Sequence, residues 1–298
     1  MMASFYLGAL LVYLRGGHWR YSALLFACAA ATRETAVTLP AVLLLVELCS
    51  RERPDWRAIL RRQWAHWTLL AAGGLVILLD RHYFELISYG FTRRGLADNL
   101  LTQLDAVSYL VVGLLGLRGA DIDPALPATS AWSAMLAVQE ALFAALAAMG
   151  LANLRARPWI AFGLLWFFVQ LAPTNSIVPR LDVANDRQLY LAAWGLVFAL
   201  AVQTVRLAPP RRLARAAAAM LLGVLALASV ARQLDYRSEI ALWEADLARA
   251  PWNARAHNNL GYAYYLAGRK DEAWREFRAA LLFDPGYSKA RANLLLLD

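Results

Sequence analysis

Lysine and cysteine are scarce in this sequence of 298 residues. The only lysines are Lys270 and Lys289, so the net charge of +8 comes from arginine. The arginines fall between apolar runs and form no single basic face, which argues against nucleic acid as a partner. Cys28 and Cys49 both lie in apolar runs. This placement favours small hydrophobic residues over a disulfide or a metal pair.

Common enzyme motifs are also missing. The sequence has no Cys/His cluster with metal-ligand spacing, no glycine-rich phosphate loop and no Gly-X-Ser-X-Gly elbow. We therefore predict no metal site and no bound cofactor. Met1 leads directly into an apolar run without a basic region or a cleavage site, so the start is not typical of a signal peptide.

Apolar residues dominate what is present. They make up 60% of the chain, charged residues make up 17%, and the mean hydropathy is +0.42. Soluble domains are about 45–50% apolar and roughly 25% charged, so the composition predicts an all-α polytopic membrane protein. We predict about eight spans, several shorter than the usual ~20 residues. They lie near residues 3–14, 21–31, 36–49, 64–79, 133–150, 159–172, 189–205 and 214–231.

The basic loops predict the orientation. A cytoplasmic loop is indicated by the arginines Arg51, Arg53, Arg57, Arg61 and Arg62. Counting residues 107–117 as a span would invert every later loop, so we interpret this stretch as a re-entrant or interfacial helix. The turn at Arg33, the loop 173–188 and everything after Arg232 then lie outside the cytoplasm. His82, Arg93 and Arg94 are interpreted as lipid headgroup contacts.

The C-terminal region carries a tetratricopeptide (TPR) pattern. One full repeat covers residues 254–287, with partial repeats on either side. The packing positions of the repeat are Leu260, Gly261, Tyr264, Ala273, Phe277, Ala280 and Pro285. We therefore predict a membrane domain over residues 1–231 and a short extracytoplasmic α-solenoid over residues 232–298. The repeats either bind a peptide or a partner protein, or serve as a capping scaffold.

A polar stretch, PTNSIVPRLDVANDRQLYL at residues 173–191, lies between two long apolar runs. At a membrane face, water or a polar ligand can satisfy its charges. This loop is either part of a ligand site or an ordinary solvated connector.

Five features together resemble a known family. They are TRETAVTLP at 32–40, NLLTQ at 99–103, FGLLWFFVQLAPTNSIVP at 162–179, NDRQLYL at 185–191 and the trailing repeat. Their order resembles the transmembrane-and-TPR family of GT-C glycosyltransferases, which are related to protein O-mannosyltransferases. The resemblance implies transfer of a mannose-like sugar from a polyprenyl-phosphate donor to protein Ser or Thr, without a nucleotide sugar. It implies a location in a bacterial inner membrane, with the repeats in the periplasm.

Residue roles in such a site are a hypothesis from side-chain chemistry and from the predicted topology. Arg187 and Arg180 would bind the donor phosphate, because a guanidinium fork suits phosphate oxygens. Further cavity-lining residues would be Arg33, Glu34, Asn185 and Asp186. Arg33 and Glu34 could instead form a local ion pair that eases a tight turn.

The catalytic acid of the family lies in the first extracytoplasmic loop, and no matching acid precedes Arg33. We therefore expect the chain to be the C-terminal part of such an enzyme, a part that could be inactive alone. Asp121 and Asp123 are the remaining acids that could position a sugar or an acceptor hydroxyl, or they cap turns. The alternative function is a non-catalytic membrane scaffold that uses its repeats for protein interaction.

Overall fold

The computed structural model describes residues 1–50, 54–116, 122–175, 177–180, 182–207 and 210–297. Over these ranges the chain forms 14 α-helices and two short 3-10 helices, and no strand. This confirms the predicted all-α class. The chain divides into two compact units. Unit 1 comprises Met1–Arg118 and Pro127–Arg206, and unit 2 comprises Gly119–Leu126 and Leu207–Asp298.

Unit 1 is built from mostly apolar helices. They are α1 (Met2–Leu14), α2 (Trp19–Thr32), α3 (Leu39–Ser50), α4 (Trp56–Leu79), α5 (Arg81–Arg93), α6 (Leu96–Leu114), α7 (Ala134–Ala152), α8 (Pro158–Leu171) and α9 (Leu189–Arg206). The two 3-10 helices, Glu34–Thr38 and Asp186–Gln188, precede α3 and α9. The described part of the stretch 107–117 forms the second half of α6 and the turn that follows it.

The core of unit 1 lies where α1, α2 and α3 meet α8. Its buried side chains include Tyr6, Phe26 and Leu43. α8 and α9 approach closely at two glycines. A Cβ at Gly163 would lie only 2.3 Å from the carbonyl oxygen of Gly195. The two glycines therefore permit close packing of α8 against α9.

Three helical stretches are long and apolar enough to cross a membrane, which is compatible with a membrane protein. They are Ala134–Ala152, Asp186–Arg206 and Arg212–Asp235. No residue in the apolar window of Arg212–Asp235 is buried by protein. Such a surface is stable against lipid and unfavourable in water. Met2–Leu14 and Pro158–Leu171 are apolar but shorter.

In its described residues, unit 2 contains five helices and part of the stretch Gly119–Leu126. The helices are α10 (Arg211–Asp235), α11 (Glu239–Leu247), α12 (Ala254–Leu266), α13 (Lys270–Phe283) and α14 (Ser288–Leu294). α12 and α13 form a hairpin that turns at Gly268, where φ is +74°. A left-handed backbone of this kind favours glycine. The hairpin core is formed by Leu260, Tyr264, Ala273 and Phe277.

The packing positions named from the sequence lie in this hairpin or directly after it. A Cβ at Gly261 would lie 2.8 Å from the ring of Phe277, so glycine permits the close approach of α12 and α13. Ala280 is fully buried, whereas Pro285 is exposed beyond the end of α13. Trp243 of α11 and Leu294 of α14 pack against the same core.

Candidate functional site

A polar network joins three connections at one end of unit 1. Its members, called the polar network below, are Glu34, Arg94, Asn99, Gln103, Asn175 and Arg180. Arg180 donates a 3.0 Å hydrogen bond to Glu34 at the start of the first 3-10 helix. Arg94, between α5 and α6, donates to the carbonyl oxygen of Arg180 at 3.0 Å. The turn near Glu34 and the loop that carries Arg180, which the sequence predicts at one membrane face, therefore contact each other, and the α5–α6 connection joins them.

Arg94 is the most buried cation of the polar network, with only 8% of its surface exposed. Its Nε donates to Oδ1 of Asn99 at 3.0 Å, and Asn99 donates through Nδ2 to the carbonyl oxygen of Ile177, also at 3.0 Å. Burial lowers the pKa of Arg94 below its usual value. Within the described ranges, its partners are neutral oxygens and no carboxylate contacts it. The guanidinium therefore keeps a net positive charge in a largely dry position.

Gln103 adds an unused hydrogen-bonding group to the polar network. Asn175 donates to Oε1 of Gln103 at 2.8 Å and accepts through Oδ1 from Thr174 at 2.9 Å. Nε2 of Gln103 is buried and has no acceptor among the described residues. If the oxygen and nitrogen of the Asn175 and Gln103 amides were exchanged, Oε1 of Gln103 would be the buried atom without a hydrogen-bond partner. A buried amide with unused capacity is costly unless a ligand or water satisfies it.

A second group of hydrogen bonds supports the polar network from the core side. Gln170 of α8 donates to the hydroxyl of Tyr6 at 2.7 Å and accepts from Thr38 at 3.0 Å. The hydroxyls of Tyr6 and Thr38 are 3.0 Å apart. This closed triangle links α1, the first 3-10 helix and α8. It therefore fixes the elements that carry Glu34 and Asn175.

The residues predicted to bind phosphate or to line a cavity differ in whether they join the polar network. Arg180 and Glu34 belong to it. Arg180 and Glu34 form an ion pair, and their side chains are 37% and 53% exposed. Partial burial opposes ionisation of Glu34. Hydrogen bonds from its own backbone N–H and from Arg180 outweigh this and lower the pKa of Glu34. Arg33 is exposed at the end of α2.

Arg187 lies in the second 3-10 helix, beside Asp186. Asn185 caps this helix by accepting from the backbone N–H of Arg187 at 3.0 Å and from its Nε at 2.9 Å. In the described part of the chain, no hydrogen bond joins Arg187 to Arg180. The capping contact gives the exposed Arg187 guanidinium a defined direction.

Neither of the two acids considered for substrate positioning belongs to the polar network. Asp121 lies outside the described residues. Asp123 belongs to unit 2, where both of its carboxylate oxygens accept hydrogen bonds from Arg255. Its carboxylate is therefore used in an ion pair within unit 2.

Sequence reasoning missed Arg94 and Gln103 as site residues, and it placed Asn175 in the polar stretch 173–191 without giving it a role. Arg94 was expected at lipid headgroups, because nothing local distinguishes it from the exposed Arg93. Asn99 and Gln103 are four residues apart, a spacing that places both on one face of α6. Both amides share the buried face of α6 with Ala106 and Leu110, and amides on such a face are the signal that could have indicated the site.

No family model, no curated protein and no solved structure matches this chain. Over the described residues, no group of three or more His, Cys, Asp or Glu side chains could hold a metal ion.

Proposed function

We propose that this chain is a membrane glycosyltransferase of the GT-C type that binds a polyprenyl-phosphate sugar donor at the polar network. It would transfer a mannose-like sugar to Ser or Thr of a protein on the extracytoplasmic side. The observation that best supports this proposal is the buried Arg94 guanidinium, which has only neutral partners among the described residues. An oxyanion is the ligand that such a group favours.

The charges around Arg94 suit a phosphate group. Arg180 presents its backbone to Arg94 and its guanidinium to Glu34. An exposed ion pair of this kind contributes only about 0–1 kcal/mol, so a phosphate can replace Glu34 as the partner of Arg180. Arg187, held by Asn185, would supply a further guanidinium from the same loop. Guanidinium groups bind phosphate oxygens in a bidentate manner, more strongly near a low-dielectric boundary.

Neutral groups of the polar network suit the rest of the donor. Nε2 of Gln103 could donate to a phosphate oxygen or a sugar hydroxyl. The residues come from stretches that are far apart in the sequence but contact one another. Asn175 and Gln103, for example, are 72 residues apart. This convergence of the TRETAVTLP, NLLTQ and PTNSIVP stretches supports a common binding role.

We propose the following membrane arrangement. The chain makes about eight spans, the stretch 107–117 is re-entrant or interfacial, and the polar network lies at the periplasmic face of a bacterial inner membrane. Arg62 supports this orientation. It lies near the C-terminal ends of α1 and α3, where it donates hydrogen bonds to Glu47 at 2.8 Å and to the carbonyl oxygen of Tyr13 at 3.3 Å. The α12–α13 hairpin is a TPR unit that presents the acceptor protein.

Ligand selectivity tests this proposal. The full chain in nanodiscs is titrated with polyprenyl phosphate and with polyprenol of the same chain length. Saturable binding of the phosphate, at least about tenfold tighter than binding of the alcohol, is expected from two or more charge-assisted hydrogen bonds. Equal affinity for both lipids would contradict the proposal. It would leave the non-catalytic scaffold as the function.

A further inference from the structure

Unit 2 holds a short non-helical segment by its backbone and by one side chain. The segment, residues 122–125, reads Ile-Asp-Pro-Ala and follows α6 in the chain. It belongs to the stretch Gly119–Leu126 that is part of unit 2. Its partners are side chains of α11, of α12 and of the connection between them.

The backbone of the segment is bound on both its donor and its acceptor groups. Oδ1 of Asp246 accepts from the backbone N–H of Ile122 at 3.1 Å and of Asp123 at 3.3 Å. Nδ2 of Asn253 donates to the carbonyl oxygen of Asp123 at 2.8 Å. Nε1 of Trp252 donates to the carbonyl oxygen of Ala125 at 3.4 Å. These contacts recognise a non-helical chain whatever its side chains are.

Among the described residues of the segment, the side-chain hydrogen bonds are those of Asp123, and Pro124 is also buried. Nε and Nη2 of Arg255 donate to the two carboxylate oxygens of Asp123, and the Asp123 side chain is only 11% exposed. This bidentate geometry selects a carboxylate over an amide. Pro124 follows, and a proline restricts the preceding residue to extended conformations. The recognised chemistry is therefore an extended segment with an aspartate before a proline.

The binding residues are positioned by the helices that carry them. Oδ1 of Asn253 caps α12 by accepting from the N–H groups of Arg255 and Ala256, at 3.0 and 3.1 Å. This cap directs Nδ2 of Asn253 toward the segment. Asp246, near the end of α11, is 1% exposed. The cap that positions Asn253 is thus formed by α12 and uses no group of the segment.

From this arrangement we infer that the α11–α12 connection is a peptide-binding site for extended Asp-Pro segments. The internal segment 122–125 occupies it in this chain, and an extended Asp-Pro segment of a partner protein competes for it. This inference does not depend on the proposed glycosyltransferase function. A tethered segment acts at an effective concentration on the order of millimolar, so partner binding strengthens when the internal aspartate is removed.

The test uses the full chain in nanodiscs and a fluorescent peptide, IDPALP, that copies residues 122–127. Fluorescence anisotropy compares the wild-type chain with Asp123→Ala, and IDPALP with the matched peptide INPALP. The Asp123→Ala chain is expected to bind IDPALP at least about tenfold more tightly than the wild type does. It should bind INPALP at least about tenfold more weakly than IDPALP. Adding Arg255→Ala should remove this preference.

Hydrogen exchange of the α12 amides reports whether unit 2 stays folded in each variant. Absence of peptide binding to a folded Asp123→Ala chain would overturn the inference, and so would equal affinity for the two peptides. If Asp123→Ala lowers protection in α12, added IDPALP must restore it. Failure of that rescue would also overturn the inference.

Discussion

Arg180 donates a 3.0 Å hydrogen bond to Glu34, a residue 146 positions earlier in the chain. This bond links the loop before α9 to the start of the first 3-10 helix. Both side chains are partly exposed, so the pair holds the loop weakly and is open to exchange. In the proposed donor site, Glu34 is the counter-ion that the donor phosphate replaces.

Neutralising Glu34 should affect ligand affinity but hardly affect the stability of the chain. The Glu34→Gln substitution should change the free energy of unfolding by less than about 1 kcal/mol, because the ion pair is exposed. It should increase the affinity for polyprenyl phosphate, because Arg180 no longer has a competing carboxylate. Thermal unfolding and a binding titration measure the two effects. A lower affinity in a folded Glu34→Gln chain would assign Glu34 a role in ligand binding.

Arg187 tests the bidentate geometry of phosphate binding. Arg187→Lys keeps the charge but loses the planar fork, and it should weaken binding of polyprenyl phosphate about tenfold. Arg187→Ala should weaken it further. Arg81→Lys is a matched control, since Arg81 is exposed and pairs with Glu85 on α5. Unchanged donor affinity in Arg187→Lys would exclude Arg187 as a bidentate ligand.

Gly261 tests the packing of unit 2. An added Cβ would lie 2.8 Å from the ring of Phe277 and 3.1 Å from the carbonyl oxygen of Ala273. Gly261→Ala should therefore destabilise the α12–α13 hairpin by about 1–3 kcal/mol. The control is Gly223→Ala in α10, where a Cβ would meet nothing within 4 Å. Hydrogen exchange in α12 and α13 should accelerate in the first variant and stay unchanged in the second.

His257 gives unit 2 a pH dependence. Burial opposes the charged form, but hydrogen bonds to Glu276 and to the carbonyl oxygen of Pro251 outweigh it and raise the pKa of His257 above 6.5. A pKa raised in the folded state adds stability that is fully present below the unfolded pKa. This stability is lost as the pH rises through the folded pKa.

Protection of the α12 amides, corrected for intrinsic exchange, should therefore fall as the pH rises from about 6 to about 8. Glu276→Gln should flatten this profile, because the carboxylate that stabilises the imidazolium is gone. A wild-type profile that is already flat would show that His257 does not titrate in this range.

The all-α class could be predicted from the sequence because it depends on local apolarity and helical periodicity. The polar network could not, because its contacts join residues that are distant in the chain. Arg94 follows Arg93 directly, yet only Arg94 is buried and bonded to the backbone of Arg180. No local pattern distinguishes two adjacent arginines, since the difference depends on which loop packs over them.

Asp123 illustrates the same limit. In the sequence it lies in a polar stretch between apolar runs, where an acid suits either substrate positioning or a turn cap. In the structure its partner is Arg255, 132 residues later. Charge pairing over such a distance is decided by tertiary packing, which sequence spacing does not encode.

The most direct measurement is the affinity of the Arg94→Gln chain for polyprenyl phosphate in nanodiscs, with Arg81→Gln as the exposed control. Arg94→Gln relieves the cost of a buried charge, but it also removes the donor to Oδ1 of Asn99 and to the carbonyl oxygen of Arg180. Loss of a buried hydrogen bond costs about 1–3 kcal/mol, so thermal unfolding is measured beside the affinity to show that the variant is folded. If Arg94 binds the donor phosphate, the affinity should fall at least about tenfold, while the control stays unchanged. An Arg94→Gln chain that is folded and binds the lipid with wild-type affinity would contradict the proposed donor site.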